Sequence, residues 1–235
     1  MLTISYSCKS RPSAEKIAEQ SEDIEIVRRN GGDINWGRAR ANTSLNPDIT
    51  NATNKRVMRE LFREHDVPMP RLYTHHEAHN KALEGANLIG RPDTHSKGRG
   101  LWRVNSNASF VRALQGTRRK KAATHFMEYV EHDREYRCHV FLGKSIRISE
   151  KRYLDDTKKE YTTAKPQHKM CNVRNAAKQA LEALGLDFGA VDIIAKGDNN
   201  ENVWVLEVNA APGLGGSMPK LYADTFSKWQ AGEYE

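Results

Sequence analysis

Three oxygen-bearing side chains, Asp192, Glu207 and Asn209, lie on two apolar segments near the end of the chain. The segments, 190–194 and 203–209, flank a stretch rich in Gly, Asp and Asn, a pattern that predicts an antiparallel hairpin. Alternate residues of a strand share a face, so Glu207 and Asn209 point the same way. A turn centred between the segments brings Asp192 within cross-strand reach of that pair, to within one residue of register.

This hairpin has the chemistry of a magnesium site. Two carboxylates and an amide oxygen on rigid strands suit hard Mg²⁺ ions, which also take oxygens from the phosphates of a nucleotide. An acidic side chain inside the run Val-Trp-Val-Leu-Glu-Val is costly to bury without a counter-ion. The alternative is an edge strand on which Glu207 is solvated.

A second predicted hairpin carries glycines and cations. Its polar loop, 92–100, holds Lys97, Gly98 and Gly100, and Arg91 stands just before it. Glycine lets backbone N–H groups approach a phosphate chain closely, and the cations supply charge. The alternative is an ordinary exposed turn, which is built from the same residue types.

The rest of the chain alternates helices with short strands, and residues 1–40 have the pattern of a small β/α unit. Thr74 and Glu77 form a capping-box pattern, and Gly185 stands where a helix C-cap belongs. Helices are predicted at 13–19, from Asn54 to before Val67, and at 74–83, 107–114 and 173–184. Strands are predicted at 2–8, 24–28, 34–37, 71–73, 88–91 and 101–104 and, as an antiparallel meander, at 124–130, 136–142 and 145–153.

The composition is that of a folded chain with a basic balance. The 235 residues contain 37 Lys and Arg against 30 Asp and Glu, a formal net charge of +7, and 38% are hydrophobic. The charge favours an anionic substrate or a polyanionic partner without requiring one. No apolar run has the length of a bilayer span, and the N-terminal residues lack the pattern of a secretory signal, so we expect no membrane association. Three widely spaced cysteines predict reduced thiols and a cytoplasmic protein.

The hairpin sequence resembles the ATP-grasp superfamily, and most closely the carboxylate–amine ligases similar to the ribosomal-protein glutamate ligase. Segments 189–193 and 206–214 give the most specific match, to the metal-binding hairpin of that family. Lys55 at the start of a helix resembles its first phosphate-binding lysine, and 67–70 resembles the strand entry that follows. The resemblance covers residues 34–214.

The resemblance implies an α/β (α+β) fold in which two subdomains grip a nucleotide. A short N-terminal β/α subdomain would occupy residues 1–48. A small subdomain with a glycine-rich flap would occupy 49–124, and a C-terminal subdomain with the metal-binding hairpin would occupy 125–235.

The resemblance also implies a role for each matching residue. Two Mg²⁺ ions, replaceable by Mn²⁺, would bind Asp192, Glu207 and Asn209. The cations near the transferred phosphate would be Arg137, Lys151 and Arg152. ATP would be bound by Lys55, Arg91, Ser96, Lys97, Gly98 and Gly100, with Glu128, Tyr129 and Val130 at the adenine and Glu135 at the ribose. Arg91 stands where the family has a lysine. An arginine keeps the positive charge of that lysine but not the compact geometry of its ammonium group.

These roles imply an ATP-dependent, ADP-forming ligase. ATP would phosphorylate a carboxylate, and an amine would attack the acyl phosphate to give an amide; the substrates would be amino acids, peptides or proteins. Two alternatives stay open. The first is an ATP-grasp enzyme that modifies nucleic acid, which the net charge and the basic run 118–121 support. The second is a non-catalytic nucleotide-binding module, which Arg91 in place of the usual lysine keeps open. The compact, basic chain resembles stand-alone ATP-grasp proteins encoded by bacteriophages. An origin in a bacteriophage would place the protein in the cytoplasm of the host. The oligomeric state is open.

Overall fold

A computed structural model describes residues 1–28, 30–93, 100–154 and 159–234. By its internal contacts the chain forms two compact units, one of Met1–Val67 with Asp133–Glu235 and the other of Pro68–His132. The division into three subdomains that the resemblance implies stays a prediction. Among the described residues, no helix combines the length and the apolar character needed to cross a bilayer.

The first unit begins with a parallel sheet. Its strands are β1 (Leu2–Tyr6), β2 (Ile24–Val27), β3 (Gly32–Trp36) and β4 (Thr43–Leu45), and the helices are α1 (Arg11–Ala18), α2 (Thr50–Thr53) and α3 (Lys55–Glu64). The four strands pair in parallel in the order β2-β1-β3-β4, and the segment 1–40 alternates strands with a helix, as predicted. Asn54 starts α3, because its side chain accepts hydrogen bonds from the backbone N–H groups of Arg56 and Val57 at 3.1 and 3.3 Å.

The second unit is an antiparallel sheet covered by two helices. Its strands are β5 (Leu72–Tyr73), β6 (Leu88–Arg91), β7 (Trp102–Val104) and β8 (His125–Glu128), in the order β5-β8-β6-β7, and its helices are α4 (His75–Leu83) and α5 (Asn107–Gln115). The predicted capping box is present: Thr74 Oγ1 accepts from the Glu77 N–H at 3.2 Å, and the Glu77 carboxylate accepts from the Thr74 N–H at 2.8 Å.

The predicted meander is wrong in its first strand. β8 belongs to the sheet of the second unit, where it pairs with β5 and β6. Its Phe126 is fully buried, with its ring 4.9 Å from that of Phe110, so the apolar residues of β8 complete the core of this unit. Within the basic run, Lys120 is not freely solvated, because its ammonium lies 4.1 Å from the centre of the Trp102 ring.

The remaining strands form an antiparallel sheet of the first unit. The strands are β9 (Arg134–Phe141), β10 (Lys144–Tyr153), β11 (Lys159–Thr163), β12 (Phe188–Lys196) and β13 (Asn202–Asn209), in the order β11-β10-β9-β12-β13. The helices are α6 (Cys171–Leu184), preceded by a 3₁₀ turn at Gln167–Met170, and α7 (Met218–Gln230). Gly185 ends α6 in the left-handed conformation, as predicted.

Helix α7, which the sequence pattern did not predict, joins the two sheets of the first unit through one core. Trp36 of β3 is fully buried and stacks on Phe188 of β12, with ring centres 5.5 Å apart. Tyr222 and Phe226 of α7 meet the same indole edge-on at 5.1 and 6.2 Å. This packing fixes the parallel sheet and the antiparallel sheet against the same helix.

Candidate functional site

The antiparallel sheet of the first unit has one apolar face and one face that is polar except where Phe141 and Phe188 enter the core with α7. Along β9, Tyr136 and Cys138 are buried on the face that packs against α6. Because strand residues alternate, Glu135, Arg137 and His139 lie on the opposite face.

Strand pairing extends this polar face into a row of four residues. Ser149 of β10 lies opposite Arg137 of β9, Arg137 opposite Asp192 of β12, and Asp192 opposite Glu207 of β13. We call Ser149, Arg137, Asp192 and Glu207 the central row. The predicted cross-strand pairing of Asp192 with Glu207 is confirmed.

Arg137 and Asp192 form an ion pair within the central row. The Arg137 Nε and Nη2 donate to the two carboxylate oxygens of Asp192 at 2.7 and 2.9 Å, a bidentate geometry. Burial alone would lower the pKa of Arg137, but the hydrogen bonds and charge of Asp192 outweigh it and raise that pKa above its ordinary value. Tyr161 of β11 places its ring centre 5.1 Å from the guanidinium carbon and so holds Arg137 from a second side.

Lys55 and Glu207 form a second ion pair. Lys55 Nζ donates to Glu207 Oε2 at 3.0 Å, and Asn209 Nδ2 donates to Glu207 Oε1 at 3.3 Å. β13 is an edge strand, as the alternative interpretation of this segment required. The Glu207 side chain is only 28% exposed, however, and is paired with Lys55, so it is not a solvated surface acid.

The donor set of this hairpin fits Mg²⁺. Asp192 and Glu207 supply carboxylate oxygens, and Asn209, two residues beyond Glu207 on β13, supplies an amide oxygen. Among the described residues, no three His, Cys, Asp or Glu side chains are gathered for a metal. A metal here would therefore be bound by two carboxylates, an amide and oxygens from its substrate, which is a common arrangement for magnesium and an uncommon one for zinc.

Glu135 and Lys151 lie opposite one another in the next row, on β9 and β10. The Lys151 ammonium donates to Glu135 Oε1, and the Tyr153 hydroxyl donates to Glu135 Oε2 at 3.0 Å. Burial would lower the pKa of Lys151, but the hydrogen bond to Glu135 raises it overall. Arg152, the next residue, points to the other face, is exposed and pairs with Glu150 at 3.3 Å, so the structure does not bring it to the central row.

The other predicted nucleotide-binding residues belong to the second unit. Arg91 ends β6, and Gly100 has φ +87°, where a Cβ would approach Pro92 Cγ to 2.9 Å. The backbone N–H groups of Glu128 and Tyr129 donate within this unit, to Arg71 and Asn87, and the Val130 carbonyl oxygen lies 2.9 Å from His132 Nδ1. Ser96, Lys97 and Gly98 lie outside the described residues. The roles assigned to all of these residues stay predictions.

Sequence reasoning missed Tyr153 and Tyr161, which hold Glu135 and Arg137. Tyr153 ends β10 and Tyr161 lies in β11, and no strand was predicted at 159–163. A signal was present, since the segment Lys-Glu-Tyr-Thr-Thr is rich in residues that favour strands.

Comparison with known proteins finds structural neighbours only. No protein-family model matches the sequence, and no curated protein matches it. The D-alanine–D-alanine ligase of Bacillus anthracis matches with a TM-score of 0.67 at 17% identity, over 96% of this chain and 91% of that one. The ATP-grasp ligase PsnB, solved with minimal precursor, Mg and ADP, matches with a TM-score of 0.53 at 20% identity, over 72% and 54% of the two chains. The ADP complex of PurK, the N5-carboxyaminoimidazole ribonucleotide synthetase, matches with a TM-score of 0.63 at 13% identity, over 90% and 71%.

These likenesses define the fold. The chain is a mixed α/β protein with the ATP-grasp fold, as the resemblance of its hairpin implied. A special relation to ribosomal-protein glutamate ligases and an origin in a bacteriophage stay predictions.

Proposed function

We propose that the chain is an ATP-dependent, ADP-forming ligase that joins a carboxylate to an amine through an acyl phosphate. The observation that carries this proposal is the central row, in which Asp192 and Glu207 lie opposite one another and each is paired with a cation. The ATP-grasp fold supports it, since solved structures similar to this chain include a D-alanine–D-alanine ligase and an ATP-grasp ligase complexed with a precursor peptide.

Asp192, Glu207 and Asn209 would hold two Mg²⁺ ions, for which Mn²⁺ could substitute. Such ions neutralise the charge of the phosphate groups of ATP during transfer. Lys55 places an ammonium beside Glu207, and Arg137 places a guanidinium beside Asp192. These cations would add to the charge that stabilises bound phosphate groups. Glu135 is held in one orientation by Lys151 and Tyr153, which suits it to accept hydrogen bonds from the ribose hydroxyl groups.

The reaction needs little proton transfer by the protein. An oxygen of the substrate carboxylate attacks the terminal phosphorus, and the bond from phosphorus to the ADP oxygen breaks. The neutral amine then attacks the acyl carbon, the carbon–oxygen bond to phosphate breaks, and the nitrogen loses one proton to the departing phosphate as the amide forms. Negative charge grows on the transferred group, where preorganised cations stabilise it most. Arg137 is fixed by Asp192 on one side and by Tyr161 on another, so it is preorganised for this role.

The test is ADP release from the full chain with Mg-ATP, a panel of amino acids and peptides as acids, and a panel of amines. We expect ADP only when an acid and an amine are both present, and loss of that release in Glu207→Gln. Glu182→Gln, on the exposed surface of α6, is the matched control and should release ADP normally. ADP release that is unchanged in Glu207→Gln, or that requires DNA instead of an acid and an amine, would contradict the proposal.

A further inference from the structure

Arg147 lies on β10, on the same face of the sheet as the central row. The register places Arg147 opposite His139 of β9, His139 opposite Ala190 of β12, and Ala190 opposite Asn209 of β13. We call these four residues the Arg147 row. It is the neighbour of the central row, because Arg147, His139 and Asn209 are each two residues from a member of that row.

Arg147 differs from Arg137 and Lys151 on the same face because no acidic side chain in the described part of the chain pairs with it. Arg137 is paired with Asp192, and Lys151 with Glu135. The Nε of Arg147 is buried, and among residues 1–28, 30–93, 100–154 and 159–234 it has no hydrogen-bond partner. His139, opposite it, is buried and brings no negative charge. A buried donor without a partner costs free energy, and in native proteins such a group often marks a place where a ligand, an ion or a water molecule binds.

The position of Arg147 indicates which ligand it would meet. Glu135, Arg137 and His139 alternate along β9 and each lies in a different row. Two residues of a strand span about 7 Å, so neighbouring rows are about 7 Å apart. In the proposed function the ribose lies at the row of Glu135 and the terminal phosphate at the row of Arg137. The Arg147 row then lies beyond the phosphate, on the side away from the nucleoside. The reacting carboxylate bonds to the phosphorus itself, so a group at Arg147 belongs to a more distant part of the acid substrate.

Resting on the proposed function, we propose that Arg147 binds a second, non-reacting carboxylate of the acid substrate. The substrate class is then a dicarboxylic acid or an acidic amino acid, whose two carboxylates are separated by a few carbon atoms. A guanidinium suits this task, because its planar fork of donors matches a carboxylate.

The test compares glutarate with glutaramate, its monoamide, which differ by a single carboxylate. The full chain is saturated with Mg²⁺ and the non-hydrolysable analogue adenylyl imidodiphosphate, and calorimetry measures the affinity for each probe. We expect glutarate to bind about tenfold more tightly than glutaramate, in line with a charge-assisted hydrogen bond. In Arg147→Met the two affinities should become equal, and Arg147→Lys, which keeps the charge, should recover part of the preference. Binding of neither probe, or an unchanged preference in Arg147→Met, would overturn the inference.

Two further measurements distinguish a substrate-binding role of Arg147 from a structural one. Arg147→Met should bind the nucleotide analogue as tightly as the parent chain does. If the parent chain does not bind the analogue, the ligase proposal itself fails, and this result is distinct from a failure of the Arg147 inference. Without ligands, Arg147→Met should unfold at a higher temperature than the parent chain, because an unpaired cation has been removed. Arg40→Met, at a side chain that is 78% exposed, should leave the unfolding temperature unchanged. A lower unfolding temperature for Arg147→Met would indicate a structural role instead.

Discussion

Arg137 and Asp192 come from neighbouring antiparallel strands and meet in a bidentate ion pair at 2.7 and 2.9 Å. Their side chains are 21% and 12% exposed, so each charge depends on the other for compensation. The pair joins the proposed phosphate-binding cation to a proposed metal ligand, which makes the stability of the sheet and the chemistry of the site depend on the same two side chains.

The first prediction concerns the stability of this pair. Asp192→Asn should lower the free energy of unfolding by about 3 kcal/mol, because the guanidinium of Arg137 stays mostly buried without its carboxylate. The double variant Arg137→Met/Asp192→Asn should be more stable than Arg137→Met or Asp192→Asn alone, since neither charge of the pair then remains buried without its partner. Urea denaturation of the four proteins measures the coupling. If the losses of the two single variants simply add, the two charges do not compensate each other.

The second prediction concerns Tyr161 as a positioning residue. Tyr161→Leu removes the ring beside the Arg137 guanidinium and should lower kcat of the ligase reaction about tenfold, with a smaller effect on KM for ATP. Tyr161→Phe keeps the ring and should have nearly normal kcat. Steady-state assays of ADP release measure both. Equal losses in the two variants would assign the effect to the hydroxyl and contradict a role for the ring.

The third prediction is a pH dependence of stability that comes from His139. Burial first, and then the charges of Arg137 and Arg147, lower the pKa of His139 to about 3 from the ordinary 6.5. Between these values the unfolded chain binds a proton that the folded chain does not, so stability falls as the pH falls from 6.5 towards 3. At pH 5 this amounts to about 2 kcal/mol.

Replacement of His139 by a residue that does not titrate should remove this component. His139→Asn keeps a polar group for the Tyr222 hydroxyl, which lies 2.9 Å from His139 Nδ1. Denaturation curves between pH 5 and pH 7 should show a smaller loss of stability for His139→Asn than for the parent chain. His65→Asn, at an exposed histidine, is the control and should keep the loss of the parent chain. An identical pH slope in the parent chain and in His139→Asn would contradict the prediction.

The fourth prediction concerns the cysteines. Cys8 and Cys171 are exposed, whereas Cys138 is buried on the face that packs against α6. Burial raises the pKa of the Cys138 thiol to about 11, although a hydrogen bond with Ser145 lowers it slightly. Ellman's reagent at pH 8 should therefore modify Cys8 and Cys171 quickly and Cys138 only after denaturation. In the control Cys138→Ala, denaturation should expose no thiol beyond the two that react in the folded state. Rapid reaction of all three thiols in the folded parent chain would contradict the prediction, because it would show that Cys138 is accessible.

The sequence predicted best those features that local interactions determine. The β12–β13 hairpin follows from two apolar segments around a turn-rich stretch, and its side-chain alternation places Asp192 opposite Glu207. The capping box at Thr74 and the end of α6 at Gly185 also depend on neighbouring residues alone. These signals need no knowledge of the rest of the chain.

The features that were missed depend on distant partners. β8 has the pattern of any half-buried strand, and only its packing against Phe110 and the other buried residues of the second unit selects its sheet. α7 is stabilised by Trp36 and Phe188, which are far from it in sequence. The pairing of Arg137 with Asp192 depends on the contact of β9 with β12, which no local pattern reveals.

The most direct test of the metal–nucleotide site is calorimetric titration of ATP into the full chain with and without Mg²⁺, repeated on Glu207→Ala and on the exposed control Glu182→Ala. We predict ATP binding that requires Mg²⁺, that is lost in Glu207→Ala and that is unchanged in Glu182→Ala. Absence of ATP binding to the parent chain, or equally tight Mg²⁺-dependent binding to Glu207→Ala, would contradict the assignment of the Asp192, Glu207 and Asn209 hairpin as a metal–nucleotide site.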